Sequence, residues 1–182
     1  MGVQLKRWTR EEYRRLAEYG VLGEDDHVQL VDGAIVQMPP QSPLHSGTVH
    51  LVAEAVRDAC PSGYTVRTRL PLALSPWSEP EPDVAVVPGD PRAYLAEHPT
   101  SAVLVVEVAV ATGAYDRERK ATVYARAGVP EYWVVDPTAG VVEVFRDPTP
   151  EGYAAVRRLG RQDAIAPLLA PDRPVAVRDL LP

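Results

Sequence analysis

The sequence predicts a mixed α/β fold, and three observations carry that expectation. The run AVLVVEVAV (102–110) is uniformly apolar apart from one acid, as a strand covered on both faces is. The segment DRERKATVYARAGV (116–129) directly after it has helical spacing and is closed by Gly128 and Pro130. Before and after this pair, period-2 stretches joined by turn residues read as hairpins. A helix, a hairpin, a helix, several strands, a helix and a closing hairpin give layers of both kinds.

Taken in order, Thr9 with Glu12 makes a capping box that opens a helix, TREEYRRLAEYG, stopping at Gly20. VQLVDGAIVQM (28–38) alternates around Asp32-Gly33, a hairpin turn dipeptide. After breaks at Pro39, Pro40 and Pro43, SGTVHLVAEAVRDAC (46–60) is helical through Val49, Val52, Ala53 and Val56. YTVRTRLPLAL (64–74) alternates as a strand with Arg67 and Arg69 on one face. Residues 82–87 make a short buried strand beginning at an acid, and AYLAEH (93–98) a brief helix. YWVVD and VVEVFRD flank residues 137–140 as a hairpin, and YAAVRRLG (153–160) adds a strand.

The bulk numbers bound the function. A chain of 182 residues suits one domain, 1–182, with a real core. Its longest apolar stretch is far shorter than the roughly 18–20 residues of a membrane span, and no apolar leader opens it, so no membrane partner is expected. One cysteine, Cys60, excludes an internal disulfide and suits a reducing cytoplasm. A net charge of −6 counts against a dedicated high-affinity DNA binder but not against a nuclease, whose site needs acids.

Three charged residues carry the functional expectation. Asp83 closes the proline-rich run SEPEPD (78–83), Glu107 interrupts the apolar strand, and Lys120 sits on the helix after it. A carboxylate inside a buried strand is costly unless it is paired or holds a metal. Two strands that each deliver a carboxylate, with a lysine from the next helix, suit a hard divalent cation and phosphodiester chemistry. Asp83 and Glu107 are the expected ligands, the Val108 carbonyl a third, and Lys120 the group that stabilises charge on phosphorus. The bland alternatives are a turn aspartate at Asp83, a buried Glu107–Arg67 or Glu107–Arg69 pair, and a surface ion pair between Asp116 and Lys120 at i, i+4. No zinc-spaced His/Cys cluster, glycine-rich phosphate loop or Ser-His-Asp set competes.

These residues resemble the PD-(D/E)XK nuclease superfamily, in which an aspartate after proline, an acid on the next strand and a lysine form the site. More narrowly the chain resembles the Uma-type restriction endonuclease family. The likeness is strongest at SEPEPDVAVV and VVEVAVATGAYDRERKATVYARAGVPEYWVVDP, weaker at residues 19–45 and at VVEVFRDP, and covers nearly the whole chain. It implies a restriction-endonuclease-like central mixed β-sheet flanked by helices, with added hairpins. It also implies Mg²⁺ or Mn²⁺ dependence and a DNA substrate. Asp83, Glu107 and Lys120 fall on the matching positions, and His45 matches a histidine the family often shows before its second helix. Glu81, Asp116 and Tyr124 are further accessory candidates.

The chain departs from the family at several points. Ala109 stands where the superfamily's lysine usually lies, so the helical Lys120 must serve. Gln29 replaces a glutamate that commonly completes the metal site, and an amide lacks the charge a hard cation prefers. Ala34 replaces a glutamate after the turn glycine, and Val110, Ala111 and Thr112 replace a serine-containing stretch. The expected function is therefore a metal-dependent endonuclease, with a weakened or silent nuclease-fold protein serving as a binding module as the alternative. Exposed aromatics in EYW (131–133) and edge strands are expected to offer a homodimer contact.

Overall fold

Local chemistry sets each element of the computed structural model, which describes residues 4–110 and 112–182. Helix α1 (Arg10–Glu18) opens on the expected capping box, Thr9 and Glu12 each accepting from the other's backbone N–H. Strands β1 (Val28–Val31) and β2 (Ala34–Gln37) pair through a turn in which Asp32 and Gly33 both have positive φ (49° and 80°), the type I′ geometry that Asp-Gly favours. Helix α2 (Pro43–Ala59) starts three residues earlier than expected, because Ser42 caps it and Pro43 occupies its first turn.

Strand β3 (Tyr64–Thr68) is shorter than the expected 64–74 run and ends where Arg69 turns to φ 51°. Strands β4 (Val84–Pro88) and β5 (Leu104–Val108) follow, separated by a 3₁₀ turn at Pro91–Tyr94 rather than a helix at 93–98. The helix after β5 is not a plain α-helix. It begins as α3 (Gly113–Tyr115), widens into a π-helical turn over Asp116–Lys120, and resumes as α4 (Ala121–Arg126). Strands β6 (Glu131–Asp136), β7 (Val141–Thr149) and β8 (Gly152–Gly160) form a meander. Short strands β9 (Ala164–Ile165) and β10 (Val175–Ala176) pair in the tail.

The main sheet has six strands in the order β3-β4-β5-β6-β7-β8. Only β5 and β6 run parallel, and a parallel pair needs a crossover, here supplied by α3, the π turn and α4. Period 2 splits the central strands between two cores. Val84, Val86, Leu104, Val106 and Val108 pack with the buried stripe of α2, while Ala85, Val87 and Val105 pack with Ala121 and Tyr124 on the opposite face. Glu107 has the parity of Val105 and so faces α4. No helix among the described residues is long and apolar enough to cross a membrane.

The aromatics of EYW are not exposed, which corrects the basis offered for a dimer contact. Tyr132 and Trp133 are fully buried, and the Tyr132 ring centroid lies 5.0 Å from Tyr124 and 5.4 Å from Phe145. Both sheet faces are covered at β6, so its side chains have no solvent face. Glu131, also fully buried, accepts from Arg146 Nε (3.0 Å) and Nη2 (2.5 Å) and from the Leu168 N–H (2.7 Å). Removing one partner of such a pair leaves a buried charge uncompensated. Glu131→Ala is expected to lower unfolding free energy by about 3–5 kcal/mol, read from the shift in denaturation midpoint at unchanged slope.

Candidate active site

The site grows from the end of the β4–β5 ladder. The last ladder pair there is Val84 with Val106, and Asp83 and Glu107 are the residues just beyond it on the two strands. Pro82 delivers Asp83 from an extended approach, and Arg69 N–H bonds to the Pro82 and Asp83 carbonyls (3.1 and 3.2 Å) brace that approach. Asp83, 7% exposed, accepts from the Val108 N–H at Oδ2 (2.8 Å), and its Oδ1 lies 3.0 Å from His45 Nε2. Val108, the expected carbonyl donor, thus has its N–H already tied to the first acid.

Glu107 is 3% exposed and takes two donors on Oε1, the Tyr124 hydroxyl at 2.7 Å and Lys120 Nζ at 2.9 Å. Oε2 receives no hydrogen bond among the described residues. Burial, offset in part by Lys120 and reinforced by Asp83 and Asp116, pushes the Glu107 carboxyl up to about 7. Lys120 is 2% exposed; burial alone would lower its ammonium, but Glu107 and Asp116 outweigh that and raise it.

Asp116 and Lys120, at i and i+4, share the face of the crossover helix turned inward, and a π turn spans them. The Ala121 N–H reaches back to the Asp116 carbonyl, five residues earlier, and the Tyr132 hydroxyl donates to that same carbonyl at 3.0 Å. Asp116, 1% exposed, accepts from the Thr112 hydroxyl at Oδ2, and its Oδ1 stands 3.5 Å from Lys120 Nζ. Burial raises the Asp116 carboxyl above the ordinary aspartate range. The surface ion pair considered from the sequence is therefore corrected: Asp116 and Lys120 are interior partners.

The alternative pairings of Glu107 are also corrected. Arg67 lies over the Tyr94 ring, 5.5 Å from its centroid, and Arg69 Nε stands 4.0 Å from Asp83 Oδ1. The strand ends before Arg69, so the two arginines do not share one strand face. Gln29 is buried in β1 and its Oε1 accepts from the Glu81 N–H (3.2 Å), bracing the acidic strap against the hairpin. Glu81 is exposed at the rim, where desolvation and nearby Glu79 raise its carboxyl. Of the altered stretch, Val110 and Thr112 are placed, and Ala111 lies outside the described residues.

Sequence reasoning missed Arg69, Thr112 and Tyr132. Tyr132 and Thr112 act on the π turn, which an α-helical period does not reveal. Arg69 carries no sequence signal, since a left-handed arginine has no glycine or asparagine to announce it.

A mixed sheet with neighbouring strands that end on facing acids, covered by helices, defines a nuclease-like fold. The chain belongs to the Uma2 family, described as "Putative restriction endonuclease", whose model matches residues 10–177. Among solved structures it is similar to "a putative nuclease belonging to DUF820" from Anabaena variabilis, with 16% identity, 94% of this chain and 96% of that one covered, and a TM-score of 0.72. No curated protein matches.

The family suggests a divalent metal, and the donor set can be tested for it. Among the described residues no three His, Cys, Asp or Glu side chains converge on one ion position. Mg²⁺ needs less, since it commonly binds through one or two carboxylates and keeps several waters. Facing like charges at Asp83 and Glu107, and a Glu107 carboxyl near neutral pKa, leave an excess of negative charge that a cation would relieve. The chemistry of the two carboxylates suits such a hard cation.

The Asp83 hydrogen bond raises His45 above its usual 6.5, against the opposing effect of burial. A raised histidine stabilises the fold fully below its unfolded value, and the benefit fades as pH climbs through the folded one. In EDTA, the excess of wild-type Tm over His45→Gln is expected to be largest near about pH 5.5 and to close towards about pH 9. A gap that widens with pH contradicts the assignment.

Proposed function

We propose that the protein is a divalent-metal-dependent endonuclease hydrolysing DNA phosphodiester bonds, working as one restriction-endonuclease-like domain in the cytoplasm. The observation that supports it most is the Asp83–Glu107 face-off at the strand ends, with Lys120 held 2.9 Å from Glu107. Asp83, Glu107 and the Val108 carbonyl would hold Mg²⁺ or Mn²⁺. Such an ion supplies Lewis acidity towards phosphate oxygens and acidifies water.

The chain's own groups do the rest. In hydrolysis a water oxygen bonds to phosphorus, the bond from phosphorus to the departing sugar oxygen breaks, and that oxygen gains a proton. Lys120 favours the ionised form of Glu107 against the effect of burial and would place fixed positive charge where the phosphoryl group becomes more negative. Tyr124 fixes the rotamer of Glu107, and His45 with the Val108 N–H fixes that of Asp83. Cutting both strands calls for two sites, which a homodimer would supply.

A second reading, a silent nuclease fold serving as a binding module, is favoured by one feature. Lys120 is 2% exposed and already engaged by two carboxylates, so its reach to a substrate is limited. Plasmid nicking in Mg²⁺ or Mn²⁺ separates the two. Asp83→Asn and Glu107→Gln are each expected to lose at least about 10²-fold in rate while remaining folded, and Lys120→Ala to lose as much and to lower Tm, since it leaves Glu107 buried without its cation. Wild type that nicks no faster than Lys120→Ala overturns the enzymatic reading. By calorimetry, Mn²⁺ binding that disappears in Asp83→Asn is expected, and no binding by wild type speaks for the silent module.

A further inference from the structure

Arg69 is the residue whose backbone and side chain the fold treats most unusually. Among the described residues it is one of four non-glycines with positive φ, at 51°, a conformation that costs an L-residue free energy and persists only where its surroundings enforce it. The enforcement is specific: its N–H is shared between the carbonyls of Pro82 and Asp83. The strain therefore fastens Arg69 to the backbone of the first acid. It also ends β3 one residue after the last β3–β4 pair, Thr68 with Val84, and turns the side chain out of the strand's alternation.

The side chain then lies at the mouth of the site. Its Nε stands 4.0 Å from Asp83 Oδ1, beyond hydrogen-bond distance, while the side chain is 38% exposed against 11% for Asp83. No hydrogen bond to the guanidinium occurs among the described residues. Arg67 and Arg117 are differently disposed: Arg67 donates to the Pro71 carbonyl, and Arg117 is held by Asp136 and Glu143. Arg69 is thus a forked, solvent-facing donor set beside an acid whose own oxygens are bonded elsewhere. The chain's net charge of −6 gives a polyanion no general attraction, so a local cation at the mouth is what a phosphate would meet.

We propose that Arg69 is a phosphate-binding residue of the site, its guanidinium engaging a backbone phosphate of duplex DNA in the manner planar arginine forks take phosphate. This rests on the DNA-cleaving reading above and adds the group that holds the substrate's backbone. The contact positions the duplex and carries no base preference. The strained backbone serves to aim a side chain that regular β geometry would direct along the strand's alternation.

The test exploits the strain. Arg69→Gly removes the guanidinium and suits the left-handed backbone, so Tm is expected to stay level or rise. Binding to a short duplex is followed by anisotropy in Ca²⁺ or EDTA, without relying on cleavage. Arg69→Gly is expected to weaken affinity roughly tenfold, whatever the duplex sequence, as the loss of one charge-assisted contact does. The slope of log affinity against log salt should shrink by about 1, with Arg69→Lys keeping most of the slope. Arg69→Gly that binds like wild type, or that loses affinity only along with Tm, overturns the assignment. Wild type that binds no duplex and nicks no plasmid removes the DNA reading itself, an outcome distinct from an unaffected variant.

Discussion

The buried pair between Glu107 and Lys120 is the constraint around which the functional end of this molecule is organised. An acid in the middle of a central strand, covered on both sheet faces, is unfavourable by several kcal/mol unless a partner of good geometry meets it. Lys120 meets it at 2.9 Å and Tyr124 at 2.7 Å, both from the crossover that any parallel β5–β6 pair requires. A π turn spans the two interior charges of that crossover, Asp116 and Lys120, and the Tyr132 hydroxyl donates to the Asp116 carbonyl of the widened turn.

The pairing is incomplete in charge. Asp83, Glu107 and Asp116 crowd one ammonium, with His45 and Arg69 at the edge. Burial and the two aspartates leave Glu107 at about 7, so near neutrality its proton is loosely held. A divalent cation held by Asp83 and Glu107 would offset that crowding and favour the ionised form of Glu107, so binding of the ion and loss of the Glu107 proton would be linked.

How much of this was legible in the sequence divides along physical lines. The hairpin at Asp32-Gly33, the capping box at Thr9, the apolar strand around Glu107 and the buried stripe of α2 depend on near neighbours, and nearest-neighbour chemistry writes them plainly. The six-strand order, with β5 and β6 parallel, was implied only coarsely as a mixed sheet. Asp83, Glu107 and Lys120 stood out because charge in apolar or proline-bound surroundings is expensive. What stayed hidden depended on distant partners. Burial of Asp116 rests on Thr112 and on Tyr132 one strand away. Burial of Tyr132 and Trp133 rests on β7, α4 and the tail covering both faces of β6, and a short motif such as EYW does not reveal that covering.

Glu131 shows why burial alone does not make a functional acid. It sits in the sheet next to Glu107's strand and is more completely buried, yet both of its oxygens are filled: Arg146 donates twice to Oε1 and the Leu168 N–H to Oε2. Its charge is met one-to-one by a guanidinium, with a backbone donor in addition, and nothing remains for a ligand to satisfy. Glu107 differs in each respect. Its donors crowd one oxygen, and its neighbours include two further acids, Asp83 and Asp116. A fold optimised only for stability would treat Glu107 as it treats Glu131. The contrast within one sheet is the physical reason to assign the chemistry to the β4–β5 end and structure to the β6–β7 side.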